Sequence, residues 1–164
     1  MTTALIHKFV SSACVAAIDD WVAKYPANEK QSAVLSALLL IQDELGFLST
    51  DVMEAVADYL EMPSVSVYEV VSFYTMYEVK PTGRHIINVC TNVSCKLRGC
   101  DKIVAAIENK IGAKLGSTSD DGRFSLRSVE CLGACVQAPM MQINKTYHEY
   151  LTVSQLDEIL EQYT

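Results

Sequence analysis

The fold class this sequence predicts is α+β, an all-helical first half followed by a smaller mixed layer. Three observations predict it. Apolar residues recur at helical spacing through the first half, each run ending at Pro or Gly. After Lys80-Pro81-Thr82-Gly83 the periodicity changes from 3.6 to 2, with extended and helical signals in alternation. Four cysteines then fall in two close pairs, all inside this second stretch. The break places a domain boundary between residues 1–80 and 81–164.

In the first half, apolar spacing predicts a helix from Ala13 to Tyr25, stopped by Pro26, and a second from Ser32 to Leu45 before Gly46. A third spans Asp51 to Leu60, ahead of Pro63. The fourth starts near Ser66, which with Glu69 has capping-box spacing, and carries Val67, Val70, Val71 and Tyr74 on one side.

In the second half, Ile86 to Val89 reads as a short strand leading into Cys90, and Leu97 to Ile111 as a helix with Ile103, Val104 and Ile107 inward. Asp121-Gly122 is a hairpin turn signal, followed by a strand through Phe124, Leu126 and Val129. Met140 to Ile143 is the last strand expected. Thr152 and Gln155 form a second capping box, for a closing helix through Ile159 and Leu160.

Composition narrows the classes of function. Half of the 164 residues are apolar and a fifth charged, as in an ordinary soluble globular protein. A net charge of -7 and thirteen scattered Lys and Arg exclude nucleic acid as a partner, because a phosphate backbone demands a concentrated basic face. The longest apolar run, Val34 to Ile41, is interrupted by Ser36 and falls far short of the roughly 20 residues that cross a bilayer. Met1 to Ile18 has a superficial likeness to a secretory leader, but His7 and Lys8 interrupt it and Phe9 to Ile18 fits an amphipathic helix better. A reducing, cytoplasmic compartment follows as the expectation, and there grouped cysteines signal metal or redox chemistry before disulfides.

The pairs are Cys90 with Cys95 and Cys131 with Cys135. Thiolates bind soft metals, and two pairs from two loops can surround either one tetrahedral ion or a binuclear iron–sulfur cluster. Cys90 closes a strand and Cys95 precedes a helix, while Leu132-Gly133-Ala134 lets backbone N–H groups approach a negative sulfur closely. The helix N-terminus after Cys95, with Lys96, Arg98 and Lys102 beside it, is expected to compensate that charge. A zinc ion stapling the small domain remains the competing reading. Plant-type ferredoxin spacing is excluded, since no cysteine follows Cys95 after two residues. No C-x-x-C pair exists for thiol–disulfide exchange, and His7, His85 and His148 share no spacing that would replace cysteine in a cluster. Cys100 and Cys14 are expected to be packed thiols. Tyr68, Phe73, Tyr74 and Tyr77 lie at mixed helical spacing, suited either to the core or to a contact between subunits. Nothing marks a catalytic residue, a phosphate loop or a dinucleotide loop.

Motif by motif, the chain resembles the thioredoxin-like [2Fe-2S] ferredoxin family, in the form found as the small subunit of the NADH-oxidising module of respiratory complex I. The resemblance rests on Pro81-Thr82-Gly83-Arg84-His85, on Cys90-Thr91-Asn92-Val93-Ser94-Cys95 and on the run from Cys131 through Leu132, Gly133, Ala134 and Cys135 to Pro139. It extends to the helical half in Gln42-Asp43-Glu44-Leu45-Gly46-Phe47-Leu48 and Ser72-Phe73-Tyr74-Thr75-Met76-Tyr77. Cys100 departs from the family pattern, which usually has a small residue there.

The resemblance implies an N-terminal helical bundle followed by a thioredoxin-like α/β domain carrying one [2Fe-2S] cluster on Cys90, Cys95, Cys131 and Cys135. It implies an electron-transfer subunit of NADH:quinone oxidoreductase, docked on a flavoprotein subunit that holds FMN and binds NADH. That location is cytoplasmic, peripheral to the inner membrane through the complex, with no membrane insertion of its own. The family also serves NAD-dependent formate dehydrogenases and NAD-reducing hydrogenases, and these residues do not separate the three.

Overall fold

A computed structural model describes residues 5–163. The first four residues of the leader-like stretch lie outside this range. The chain divides into two compact units, one running to Pro81 and the other beginning at Thr82.

The first unit is helical: α1 (Ser12–Val22), α2 (Val34–Leu45), α3 (Thr50–Tyr59) and α4 (Ser64–Phe73). Side chains cap two of these starts, Ser11 Oγ accepting from Cys14 N at 3.2 Å and Ser49 Oγ from Val52 N at 3.4 Å. Glu44 binds Ser11 in turn, accepting from its N–H at 2.7 Å and its hydroxyl at 2.8 Å. Gly46 closes α2 in the left-handed conformation, φ 85°, donating to Gln42 O at 2.7 Å. Apolar faces meet in one core, where Ile18, Leu38, Ile41, Leu48, Val56 and Val67 are fully buried.

Two expectations change here. α4 begins directly after Pro63, not at Ser66, because proline fixes the extended entry and the helix follows at once; no Ser66–Glu69 capping box forms. Tyr74 lies past the helix end and is exposed with Phe73, which is 76% accessible, whereas Tyr77 is buried and its hydroxyl donates to Leu35 O at 2.8 Å. Burial pushes the Tyr77 phenol up to about 12. The aromatic group therefore splits between core and surface.

The second unit is a four-stranded sheet in the order β2-β1-β3-β4, from β1 (His85–Cys90), β2 (Phe124–Val129), β3 (Met141–Ile143) and β4 (Thr146–His148). β1 and β2 are parallel, pairing His85 with Phe124 through Cys90 with Val129, while β3 runs antiparallel to β1 and β4 to β3. Parallel neighbours need a crossover. It is supplied by α5 (Val93–Leu97) and α6 (Cys100–Ile111). The core lies between the sheet, α6 and the closing helix α7 (Leu156–Glu161), with Ile87, Val89, Ile107, Leu126, Met141, Ile143 and Leu156 buried.

The helix expected over Leu97–Ile111 is two helices, because Gly99 adopts φ 86° and breaks the run between them. β4 was not legible: it has three residues, two of them exposed. The Thr152–Gln155 capping box is present, on a 3₁₀ turn that leads into α7. Among the described residues no helix is long and apolar enough to cross a membrane.

Candidate metal centre

The four paired cysteines reach one edge of the sheet because of strand direction. β1 ends at Cys90 beside the end of its parallel neighbour β2, and Cys131 follows β2 by two residues. β3 runs the other way, so the chain arriving from Cys135 enters the sheet at that same edge, Met141 pairing with Val89. This is the carboxyl edge of the two parallel strands, where open α/β sheets place their sites.

Two sulfurs sit inside and two outside. Cys90 and Cys95 are 3% and 1% exposed, packed with Cys100, Ala138 and Met140, whereas Cys131 and Cys135 are open to solvent. All six thiols are free. Cys131 Sγ and Cys135 Sγ stand 3.9 Å apart. Two sulfurs bound to one tetrahedral metal through bonds of about 2.3 Å would lie about 3.8 Å apart, so this pair has the spacing of a shared ion. Cys95 hydrogen-bonds Cys90, and Cys135 has both Ser94 and Cys90 in its surroundings, so the outer pair neighbours the inner loop. Among the described residues no group of three or more His, Cys, Asp or Glu gathers as a ready single-ion site. The sulfurs are arranged pair by pair.

Donors already aim at three of them. Gly133 N–H donates to Cys131 Sγ at 3.3 Å, with Gly133 at φ 78°, a conformation an L side chain would strain. The Met140 N–H and the Ser94 hydroxyl each favour the charged form of a thiol, at Cys95 and Cys135 respectively. Against them, burial pushes Cys95 up to about 11, and its bond to Cys90 adds to this. Cys135 is raised chiefly by its contact with Cys131, since two thiolates this close resist ionising together. A bound cation removes that penalty, so the donor set fits a cationic metal centre.

The compensation expected from a helix start is not at Cys95, which lies within α5; α6 starts five residues later at Cys100. Nor do the three bases form a loose cloud: Lys102 is exposed on the first turn of α6 and, among the described residues, its side chain belongs to no interaction with the cysteine loops. Lys96 pairs with Asp101 at 3.0 Å, while Arg98 Nη1 donates to Val136 O and Ala138 O at 3.1 Å each. Tyr147 of β4 donates its hydroxyl to Leu132 O at 2.7 Å, pinning the outer loop. Sequence reasoning missed Tyr147, and it named Ser94 only as part of a motif, without its hydroxyl's role at Cys135. Arg98 is expected from the sequence as one of three charges beside Cys95; its hold on the Val136 and Ala138 carbonyls is not. Cys100 is fully buried among Cys90, Cys95 and Met140, and Cys14 is 8% exposed near Glu44.

Comparison with known proteins follows the same lines. The E subunit of NADH-quinone oxidoreductase from Rickettsia felis is 43% identical over 147 residues, 89% of this chain and 88% of that protein. The E subunit numbered 2 of the same enzyme in Rhizobium meliloti is 41% identical over 146 residues, covering 89% and 86%. In fold, the chain is similar to part of a crystal structure of NAD+-reducing [NiFe]-hydrogenase in the air-oxidized state. The TM-score is 0.71 at 18% identity, covering 85% of this chain and 24% of that one. A family model for thioredoxin-like [2Fe-2S] ferredoxin matches residues 18–164. With the match spanning both units and every paired cysteine, the chain belongs to the thioredoxin-like [2Fe-2S] ferredoxin family.

Proposed function

We propose that this chain is the electron-transfer subunit of an NADH:quinone oxidoreductase, holding one [2Fe-2S] cluster on Cys90, Cys95, Cys131 and Cys135. The observation that carries the reading is the common sheet edge at which both cysteine loops end, with the outer pair 3.9 Å apart. Relatives of 41–44% identity that are named as E subunits of NADH-quinone oxidoreductase support the choice of complex over other NAD-linked enzymes. Bound there, the cluster would supply reversible storage of one electron.

The chain's own residues do the positioning. Cys90 and Cys95 anchor the inner side in apolar packing, which excludes water, while exposed Cys131 and Cys135 form the side open to a redox partner. Gly133 N–H, Met140 N–H and the Ser94 hydroxyl stabilise negative sulfur and so favour the reduced, more anionic state. The helical unit is the docking half in this reading, and FMN and the NADH site belong to a partner flavoprotein subunit. Cytoplasmic location, peripheral to the inner membrane, follows from that assembly. The domains in this reading are 1–80 and 81–164, supported by a division into compact units between Pro81 and Thr82.

Anaerobic purification followed by metal and acid-labile sulfide analysis tests this. Iron with an equal amount of sulfide is expected; zinc without sulfide would instead identify a stapled interaction module. Co-purification of a flavin-containing, NADH-oxidising partner is the companion result.

A further inference from the structure

The segment from Val136 to Met140, which links the outer cysteines to β3, has every carbonyl engaged. Gln137 O and Pro139 O accept from the N–H groups of Tyr150 and Leu151 at 2.8 and 2.9 Å. Met140 O, on the alternate set, accepts from Cys90 N at 3.2 Å, an extension of the β1–β3 ladder. Towards Cys135 that ladder has no strand left to continue it, because the chain beyond Cys90 turns away into α5. The two carbonyls next in the alternate set, Ala138 and Val136, take both their hydrogen bonds from Arg98, through one terminal nitrogen at 3.1 Å each.

Arg98 thus stands in for the missing backbone donors. It is also the C-cap of α5, its own N–H donating to Cys95 O at 3.2 Å, so its backbone is fixed to one inner ligand's turn. Its side chain ends on the residue directly after Cys135. One cation therefore spans from the turn of Cys95 to the loop of Cys135, at the place where negative sulfur gathers. Lys96 is occupied by Asp101 instead. Charge-assisted hydrogen bonds to carbonyls are stronger than neutral ones, and an arginine carries that charge at any relevant pH.

We propose that Arg98 is the positioning residue of the cluster site, holding the outer cysteine loop in register with the inner one and placing a fixed positive charge beside it. This rests on the four-cysteine cluster reading above.

The test compares Arg98→Gln, Arg98→Lys and Lys102→Gln, the last removing an exposed charge from the same stretch without touching the loop. Iron and sulfide are first measured in the unaltered protein; their absence there defeats the cluster reading itself, before any variant is compared. With the cluster present, Arg98→Gln is expected to release iron to a chelator at least about tenfold faster, since even one of the two charge-assisted hydrogen bonds it removes represents that factor. Its midpoint potential should move to more negative values. Arg98→Lys keeps the charge without the planar fork, so its potential stays near the unaltered value while its release rate falls between the two. Lys102→Gln should match the unaltered protein in both. If Arg98→Gln assembles no cluster, hydrogen exchange on the metal-free protein decides: faster exchange at Tyr150 and Leu151 with an unchanged helical unit supports the role. The proposal is overturned if Arg98→Gln keeps the original release rate and potential, or if Lys102→Gln shifts both equally.

Discussion

Replacing Gly83 by alanine is expected to cost the second unit much of its stability, although alanine normally stiffens an unfolded chain to advantage. Gly83 has no left-handed φ, so the issue is space alone. A Cβ there would lie 2.6 Å from Phe124 C and 2.9 Å from Ser125 N, both backbone atoms of β2. Ordinary contact begins at 3.4 Å, so the strand entering β1 would have to retreat by about 0.8 Å. Gly83 N donates to the buried Ser125 Oγ at 2.7 Å, and the next two amides, Arg84 and His85, donate to Gly122 O and Arg123 O at 3.0 and 2.8 Å. A retreat of that size breaks about two of these three bonds, at about 1 kcal/mol each. Overpacking adds about 1–3 kcal/mol, and the stiffer unfolded chain returns about 0.4–1 kcal/mol. The net loss is about 2–4.6 kcal/mol, against a total of about 4–12 kcal/mol for a unit this size. Hydrogen exchange at the β1 and β2 amides should accelerate about 30- to 2,000-fold. Gly116→Ala is the comparison, since Gly116 has φ 85° with nothing within 4 Å and costs only backbone strain of about 1 kcal/mol. Exchange in Gly83→Ala no faster than in Gly116→Ala would refute the reasoning.

Cys131→Ser should abolish or strongly shift the electron paramagnetic resonance signal of the reduced protein, while Cys100→Ala leaves it in place; the reverse pattern would make buried Cys100 the ligand. Leu38→Ala, at a fully buried position in the helical unit, should cost about 2–5 kcal/mol in urea unfolding followed by the fluorescence of Trp21, and a loss under about 1 kcal/mol would contradict the core assignment. His148 meets the Tyr163 hydroxyl at 2.8 Å, and burial holds its imidazole below the ordinary value. The unfolded chain therefore binds the proton first, so this contribution is present above about pH 6.5 and is lost as pH falls through the lower folded value. His148→Gln should flatten the stability profile between about pH 7.5 and 5.5, measured by denaturant midpoint; an unchanged slope would remove His148 as the cause.

Much of this molecule is legible from local chemistry. Gly46 after Leu45, Pro63 before α4 and the Thr152–Gln155 box all sit where they punctuate helices. The errors lie where non-local partners decide. Gly99 reads as a tolerable glycine inside a helical pattern, and its positive φ becomes evident only in the fold, where it separates α5 from α6. β4 exists because Asn144, at φ 54°, turns the chain back on β3, and three residues carry too little periodicity to announce it. At the site, residue type and spacing expose the four thiols. Tyr147 escapes notice, and Arg98 is read only as a nearby charge, because their acceptors are backbone carbonyls, which look alike at every position of a sequence.

Strand order has one more consequence. β1 is made before both of the strands that flank it, and the sulfurs at residues 90 and 95 leave the ribosome well ahead of those at 131 and 135. A nascent chain halted before β2 has its early thiols in hand but lacks the parallel neighbour whose end brings the later ones to the same edge. The four sulfurs can therefore come together only once the chain has been made beyond residue 135.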